Sequence, residues 1–295
     1  LRIVGLDRLF GCCARFPLWL LHGMGAVVGW LVYGLSSRYR QRWAENRDQA
    51  GLSKAQVRGA IAHGGRMIFE LPRIWFGAPV PYQWQGVEHV ERAYAAGKGI
   101  VFLTPHMGCF EITAQALAEK FGPQYGDLTV LYRPARQAWL AEMMKHVRHR
   151  PGLRSAPTTL AGVRQMIKAL RKGEAVGLLP DHVPPEGQGL WVPFFGRPAY
   201  TMTLAAKLVQ QTGAEVIVIW GERLPHGRGF LLHCAPLSEP LPAELEPAVA
   251  QINREMEKVI LADPNQYMWS YARYRQPWPQ PDAVPVTTDD KGGAA

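Results

Sequence analysis

His106 and Glu111 stand five residues apart in the stretch Thr104-Pro105-His106-Met107-Gly108-Cys109-Phe110-Glu111. Imidazole is the side chain that changes charge nearest neutral pH. A carboxylate that accepts the proton of one ring nitrogen fixes the tautomer and leaves the other nitrogen to take a proton from a hydroxyl. That is the base-plus-orienter half of a catalytic triad, with the nucleophile supplied by a substrate. On one continuous helix, side chains five apart point about 140° away from each other. The pair meets only if His106 lies on the turn before a helix and Glu111 reaches back from its first turn. The competing reading is a histidine bonded to nearby backbone, because one His and one Glu at this spacing recur by chance. No metal is expected, since the zinc spacing His-Glu-x-x-His is absent and no other His, Cys or carboxylate cluster has ligand spacing.

The elements around the pair fit the required placement. Gly99 to Leu103 is an apolar run that reads as a short buried strand ended by Pro105, and Glu111 to Phe121 has apolar positions at helical spacing. From Tyr82 onward such pieces alternate. Helices are expected over Glu88 to Ala96, Glu111 to Phe121, Ala138 to Arg148, Leu160 to Arg171, Thr201 to Thr212 and Glu244 to Ala262. Strands are expected over Ile100 to Leu103, Leu128 to Leu131, Ala175 to Leu179, Glu215 to Trp220 and Phe230 to Cys234. This alternation predicts an α/β fold, a mostly parallel central sheet flanked by helices, with active groups on loops at strand ends.

Three more loops follow strands in that scheme. Arg133 in Tyr132-Arg133-Pro134 suits bidentate binding of a phosphate or carboxylate, or is a plain surface arginine. Asp181, after Leu179-Pro180, orients Arg133, orients a substrate hydroxyl, or caps the next turn. Pro193-Phe194-Phe195-Gly196 is a tight turn or a wall beside the ligand, and Thr201 is the expected N-cap of the following helix.

Phe16 to Leu35 carries no charge, and its twenty residues reach about 30 Å as a helix, the thickness of a bilayer's hydrocarbon core. Trp19, Trp30 and Tyr33 are placed as interfacial anchors, and Arg38, Arg40 and Arg42 follow. The readings are an N-terminal membrane-anchoring helix, spanning or half-inserted, a buried core helix, or a signal peptide. The last is disfavoured by the lack of a small-residue cleavage site. The basic flank after the segment places the rest of the chain on the cytoplasmic side. Residues 36 to 76 read as two or three helices, with Met67 to Phe76 packed on the core, walling an acyl chain or facing a membrane. The organisation is therefore an anchor over residues 1–35, an α/β domain over 36–276 and a disordered tail over 277–295, rich in Pro, Gly and Asp.

A net charge of +9 over 295 residues points to anionic partners. Cys12, Cys13, Cys109 and Cys234 form no spaced framework, which favours a reducing compartment. Without Gly-x-Ser-x-Gly a lipase or thioesterase with an internal nucleophile is disfavoured, and without a nucleic-acid motif so is a DNA- or RNA-binding role.

Taken in order, Thr104-Pro105-His106 through Glu111, Tyr132-Arg133-Pro134, Pro180-Asp181, Val192-Pro193-Phe194-Phe195-Gly196 with Pro198-Ala199 and Thr201, and Tyr267-Met268-Trp269-Ser270 resemble the late acyltransferases of lipid A biosynthesis. The likeness runs from the N-terminal anchor to about Arg275. It implies an enzyme at the cytoplasmic face of a Gram-negative inner membrane. Such an enzyme moves an acyl chain from the phosphopantetheine thioester of acyl carrier protein to a hydroxyl of a phosphorylated glycolipid of the Kdo-lipid IVA type, with no other cofactor. It also implies His106 and Glu111 as the catalytic dyad and Arg133 and Asp181 as substrate-binding residues. The resemblance leaves open another glycolipid or a lyso-phospholipid as acceptor and acyl-CoA as donor. One departure is His182, where the family commonly has Gln.

Overall fold

The computed structural model describes residues 10–132 and 150–278. Arg133, the helix expected over Ala138 to Arg148 and nearly all of the tail lie outside the described residues. The helices and strands described run, in order, α1 (Leu18–Leu35), α2 (Ser37–Gln49), α3 (Gly59–Phe69), α4 (Leu71–Phe76), β1 (Tyr82–Gln85), α5 (Val87–Ala95), β2 (Ile100–Leu103), α6 (Phe110–Tyr125), β3 (Leu128–Tyr132), β4 (Leu153–Pro157), α7 (Leu160–Arg171), β5 (Ala175–Leu178), β6 (Gly189–Phe194), β7 (Arg197–Met202), α8 (Leu204–Thr212), β8 (Glu215–Arg223), β9 (Phe230–Pro236) and α9 (Leu245–Ala262).

Seven strands form one sheet in the order β1-β9-β8-β2-β5-β3-β4. All its pairings are parallel except β8 with β9. The expected mostly parallel α/β sheet is thus observed. All four residues of β2 are buried, because a central parallel strand is covered on both faces and needs no polar alternation. Val101 and Leu103 face a core shared with α7 and α9, while Ile100 and Phe102 face one shared with α5 and α6. Burying each such side chain contributes about 1.5–3 kcal/mol.

Several boundaries differ from the sequence expectation. β1 and β4 went unforeseen because short edge strands carry little apolar signal. The Pro-Phe-Phe-Gly segment is the tip of an antiparallel hairpin, β6 with β7. Its two-residue loop, Phe195 and Gly196, has φ of 48° and 75°, the left-handed pair that a tight hairpin turn needs. Thr201 does not cap α8. It lies within β7, its hydroxyl oxygen accepting from Arg273 Nη2 at 2.6 Å, while Thr203 stands at the helix start.

α1 is long and apolar enough to cross a membrane, yet only 28% of it is buried. Its glycines explain how it is held: a Cβ at Gly29 would sit 2.3 Å from the Ile61 carbonyl oxygen, and one at Gly65 would sit 1.9 Å from that of Gly25. α1 therefore lies on α3 backbone to backbone. Leu18, Leu21, His22, Gly25 and Gly29 face inward, and Trp19, Val27, Trp30, Leu31 and Leu35 face out. This is a helix docked along one side and apolar along the other. The core-helix reading is excluded by that exposed side. Residues 37–76 include α2, α3 and α4, and within Met67 to Phe76 Ile74 and Trp75 pack into the core while Ile68 and Phe76 are exposed.

Candidate active site

Register sets the site. Leu103 of β2 pairs with Leu178 of β5, and the Thr104 amide continues the ladder to the Leu178 carbonyl at 3.1 Å. His106 and Asp181 each lie three residues beyond that pair, so the two loops leave the sheet together at the carboxyl ends of parallel strands, where open α/β sheets bind ligands.

The Asp181 carboxylate holds His106 twice. Oδ2 accepts from the His106 amide at 2.9 Å and Oδ1 from Nδ1 at 2.7 Å. Burial would raise the Asp181 carboxyl, but His106, through its charge and these hydrogen bonds, overrides that and keeps it well below the usual carboxylate range. An ionised carboxylate is an acceptor only. The Nδ1 proton therefore belongs to His106, and Nε2 is the ring's acceptor. Asp181 is buried, whereas 16% of the His106 side chain is exposed.

Backbone contacts clamp the turn. The His106 carbonyl accepts from the Met268 amide at 3.1 Å, the Gly108 amide donates to the Gln266 carbonyl at 3.0 Å, and the Cys109 amide donates to the Gly221 carbonyl at 2.8 Å. Gly108 has φ of 55°, and a Cβ there would lie 1.9 Å from the Gly221 oxygen, so this position accepts glycine alone. The fully buried Arg223 Nη2 donates to the Gly108 carbonyl at 2.9 Å.

Two rings stack behind the base. His182 lies face to face with His106, centroids 3.4 Å apart and planes 4° apart, and Tyr271 covers its other face at 3.7 Å. The buried His182 Nε2 has no hydrogen-bond partner. Burial first, then the charge of His106, lower its pKa to about 3, so the ring is neutral. His106, Asp181 and His182 bring ligand atoms within 4.8 Å of one another, the one such group among the described residues. Lone pairs of nearly parallel rings run side by side and do not converge, and His106 Nδ1 is engaged by Asp181, so the arrangement is ill suited to a metal ion.

Glu111 occupies the first turn of α6, as the spacing required, and its carboxylate accepts from Trp75 Nε1 at 3.1 Å. The carboxylate seen on the His106 ring is that of Asp181. The tyrosine and histidine that complete the site, Tyr271 and His182, carried no sequence signal for stacking. Tyr267 also reaches Asp181, and burial first, then that carboxylate, push the Tyr267 phenol well up.

A family model for bacterial lipid A biosynthesis acyltransferases matches residues 20–276. The chain belongs to that family. Among its relatives, the lipid A biosynthesis lauroyltransferase of Escherichia coli K12 is 31% identical over 204 residues, 68% of this chain and 63% of the relative. The palmitoleoyltransferase of the same organism is 24% identical over 206 residues, 69% and 62%. A lipid A biosynthesis acyltransferase of Haemophilus influenzae is 28% identical over 218 residues, 72% and 67%. The match to the two E. coli proteins takes in less than two thirds of their length.

Proposed function

We propose that this member of the lipid A acyltransferase family moves a fatty acyl chain from a thioester donor to a hydroxyl of a phosphorylated glycolipid of the Kdo-lipid IVA type. The observation that carries the reading is His106, braced at Nδ1 and at its amide by buried Asp181, with its ring partly open to solvent. Nε2 takes the proton of the acceptor hydroxyl as that oxygen attacks the thioester carbonyl. The tetrahedral intermediate collapses with loss of the C–S bond, and the proton passes from His106 to the departing sulfur, leaving an ester and a free thiol. The first-turn amides of α6, whose N-cap Cys109 offers no side-chain cap, stand where the helix dipole favours a developing oxyanion.

The donor is acyl carrier protein, whose acidic surface suits a chain of net charge +9. Arg133, in the sequence Tyr132-Arg133-Pro134, binds a phosphate of donor or acceptor. Glu111 is the family acid of the dyad pattern, and we assign it a supporting role on the same turn as His106, with Asp181 as the direct orienter. The outward apolar side of α1 seats the protein on the cytoplasmic face of the inner membrane.

The test is transfer of labelled acyl chains by full-length protein in detergent, with acyl carrier and acyl-CoA donors against lipid acceptors. His106→Ala is expected to lose about 10²–10⁴-fold in kcat, Asp181→Asn a similar factor, and Glu111→Gln less. A His106→Ala protein with full transfer sinks the base assignment. A Glu111→Gln loss larger than that of Asp181→Asn returns the orienting role to Glu111.

A further inference from the structure

On the far side of the clamped turn lies a cavity of about 700 Å³, lined by Trp19 and His22 of α1, His63 and Arg66 of α3, and Arg223 and His226 from the end of β8 and the turn after it. Its charges do not balance. Glu70 is fully buried and committed: its oxygens accept from Arg223 Nη2 and Nε, both at 2.6 Å, and it pairs with His22 Nε2 at 2.9 Å. Glu222, also on the wall, pairs with His233 Nε2 at 2.8 Å. Among the described residues Arg66 has no carboxylate within ion-pair reach, only the His22 carbonyl at 3.4 Å and the His63 ring.

The His63 ring sharpens the imbalance. Its Nε2 lies 3.0 Å from Arg66 Nη1 and its Nδ1 lies 2.8 Å from Arg223 Nη1. A guanidinium only donates, and a neutral imidazole accepts at one nitrogen and donates at the other. One ring N–H therefore points at a cation, whichever tautomer is present. Protonation relieves nothing, because it sets two donors against two donors. The turn that closes the cavity is itself strained: His226 has φ of 59°, a left-handed conformation that non-glycine residues rarely adopt, and Gly227 packs on the backbone of Trp19.

We propose that this cavity binds a phosphate ester anion, the headgroup phosphate of a membrane lipid, with Arg66 as its bidentate ligand and His63 and His226 as further donors. A phosphate supplies the acceptor oxygens that the cavity lacks, in the geometry a guanidinium fork matches. The adjoining outer side of α1, with Trp19 61% exposed at the rim, offers apolar surface for the acyl part of the same molecule. The site is separate from His106, and its occupancy is read by binding, independently of acyl transfer.

The experiment titrates full-length protein in a non-ionic detergent with dihexanoyl phosphatidylglycerol, inorganic phosphate and dihexanoylglycerol, following heat and tryptophan fluorescence. Saturable one-to-one binding of the phosphatidylglycerol is expected, weakened tenfold or more in Arg66→Gln, less in Arg66→Lys, and within twofold in Arg38→Gln, which removes an equal charge from an exposed position on α2. Thermal midpoints measured without ligand identify a variant that has merely lost its fold, in which case His63→Asn carries the test. Inorganic phosphate bound as tightly, with the same Arg66 dependence, supports the anion site and assigns it to the free ion. Binding of dihexanoylglycerol as tight as that of the phosphatidylglycerol, equal loss in Arg66→Gln and Arg38→Gln, or no saturable binding overturns the proposal.

Discussion

Two histidine–carboxylate pairs lie on either side of one turn and do different work. His106 and Asp181 meet at 2.7 Å, and His22 and Glu70 at 2.9 Å. Hydrogen-bond length does not separate them. What separates them is what else each carboxylate holds and where the other ring nitrogen points. Asp181 gives both oxygens to His106, ring and amide, with the Tyr267 phenol also in reach, so its main effect is to aim one partly exposed imidazole. Glu70 spends both oxygens on Arg223 and shares one with His22, so it neutralises a buried guanidinium that in turn holds the Gly108 carbonyl. In the proposed mechanism one pair does the chemistry, and the other is the bracket that keeps its turn in place.

The comparison breaks most visibly if the two carboxylates are exchanged for neutral groups. Asp181→Asn should lower kcat by about 10²–10⁴-fold with a small change in thermal midpoint, since Asn still fills the space. Glu70→Leu should cost about 3–5 kcal/mol of stability, the usual penalty for stranding one member of a buried ion pair. Removing both members, Glu70→Leu with Arg223→Leu, should recover much of that stability and not the rate, because the Gly108 carbonyl has lost its clamp. Denaturant unfolding and transfer rates on the same samples check both. Recovery of the rate in the double variant would show that Arg223 only balances charge.

Acid sharpens the distinction further. Burial first, then the nearby Arg223 and Arg66 charges, lower the His63 pKa to about 3, and His182 is lowered to about 3 as well. A ring whose folded pKa lies below its unfolded value near 6.5 takes up protons more readily unfolded, so stability is full above about pH 6.5 and is lost as pH falls toward 3. At pH 5 each ring should contribute about 2 kcal/mol of destabilisation. Burial raises the Glu70 carboxyl but Arg223 holds it at about 2, so the contribution of Glu70 is full above its ordinary value near 4.5 and is lost as pH falls from there toward 2. Unfolding free energies from pH 7 to 5 should therefore fall in wild type and flatten in a His63→Gln, His182→Gln double variant. An unchanged slope would place the acid response elsewhere.

The sequence made the strand and the helix around His106 legible, because an apolar run ended by Pro105 and a periodic stretch after it are local signals. The orienting partner was not, since Asp181 reaches His106 only through the pairing of Leu103 with Leu178, and register between strands 75 residues apart leaves no local mark. Its candidate status was visible as an acid at a strand end; its role was not. The same limit explains α1. Of its four glycines, Gly25 and Gly29 are where α3 backbone comes within contact of α1, a packing role that no local pattern announces. Thr201 shows the reverse error, in which a good capping residue was claimed by a buried arginine 72 positions away.

The smallest expected effect tests the ring stack. The His182 imidazole covers one face of His106 while Tyr271 covers its own other face. Since burial keeps His182 neutral to about pH 3, it adds a flat face and no charge. Its contribution is then to hold the His106 plane, a stacking effect of about 0.5–1.5 kcal/mol. His182→Gln should accordingly lower kcat by no more than about tenfold while KM stays level, because the ring restrains the base and not the bound lipid. The acid limb of kcat against pH should titrate with one proton in both proteins. A two-proton limb in wild type that becomes one-proton in His182→Gln would mean that His182 ionises near neutrality, and the neutral stack would have to be abandoned for a pair of histidines sharing the catalytic proton.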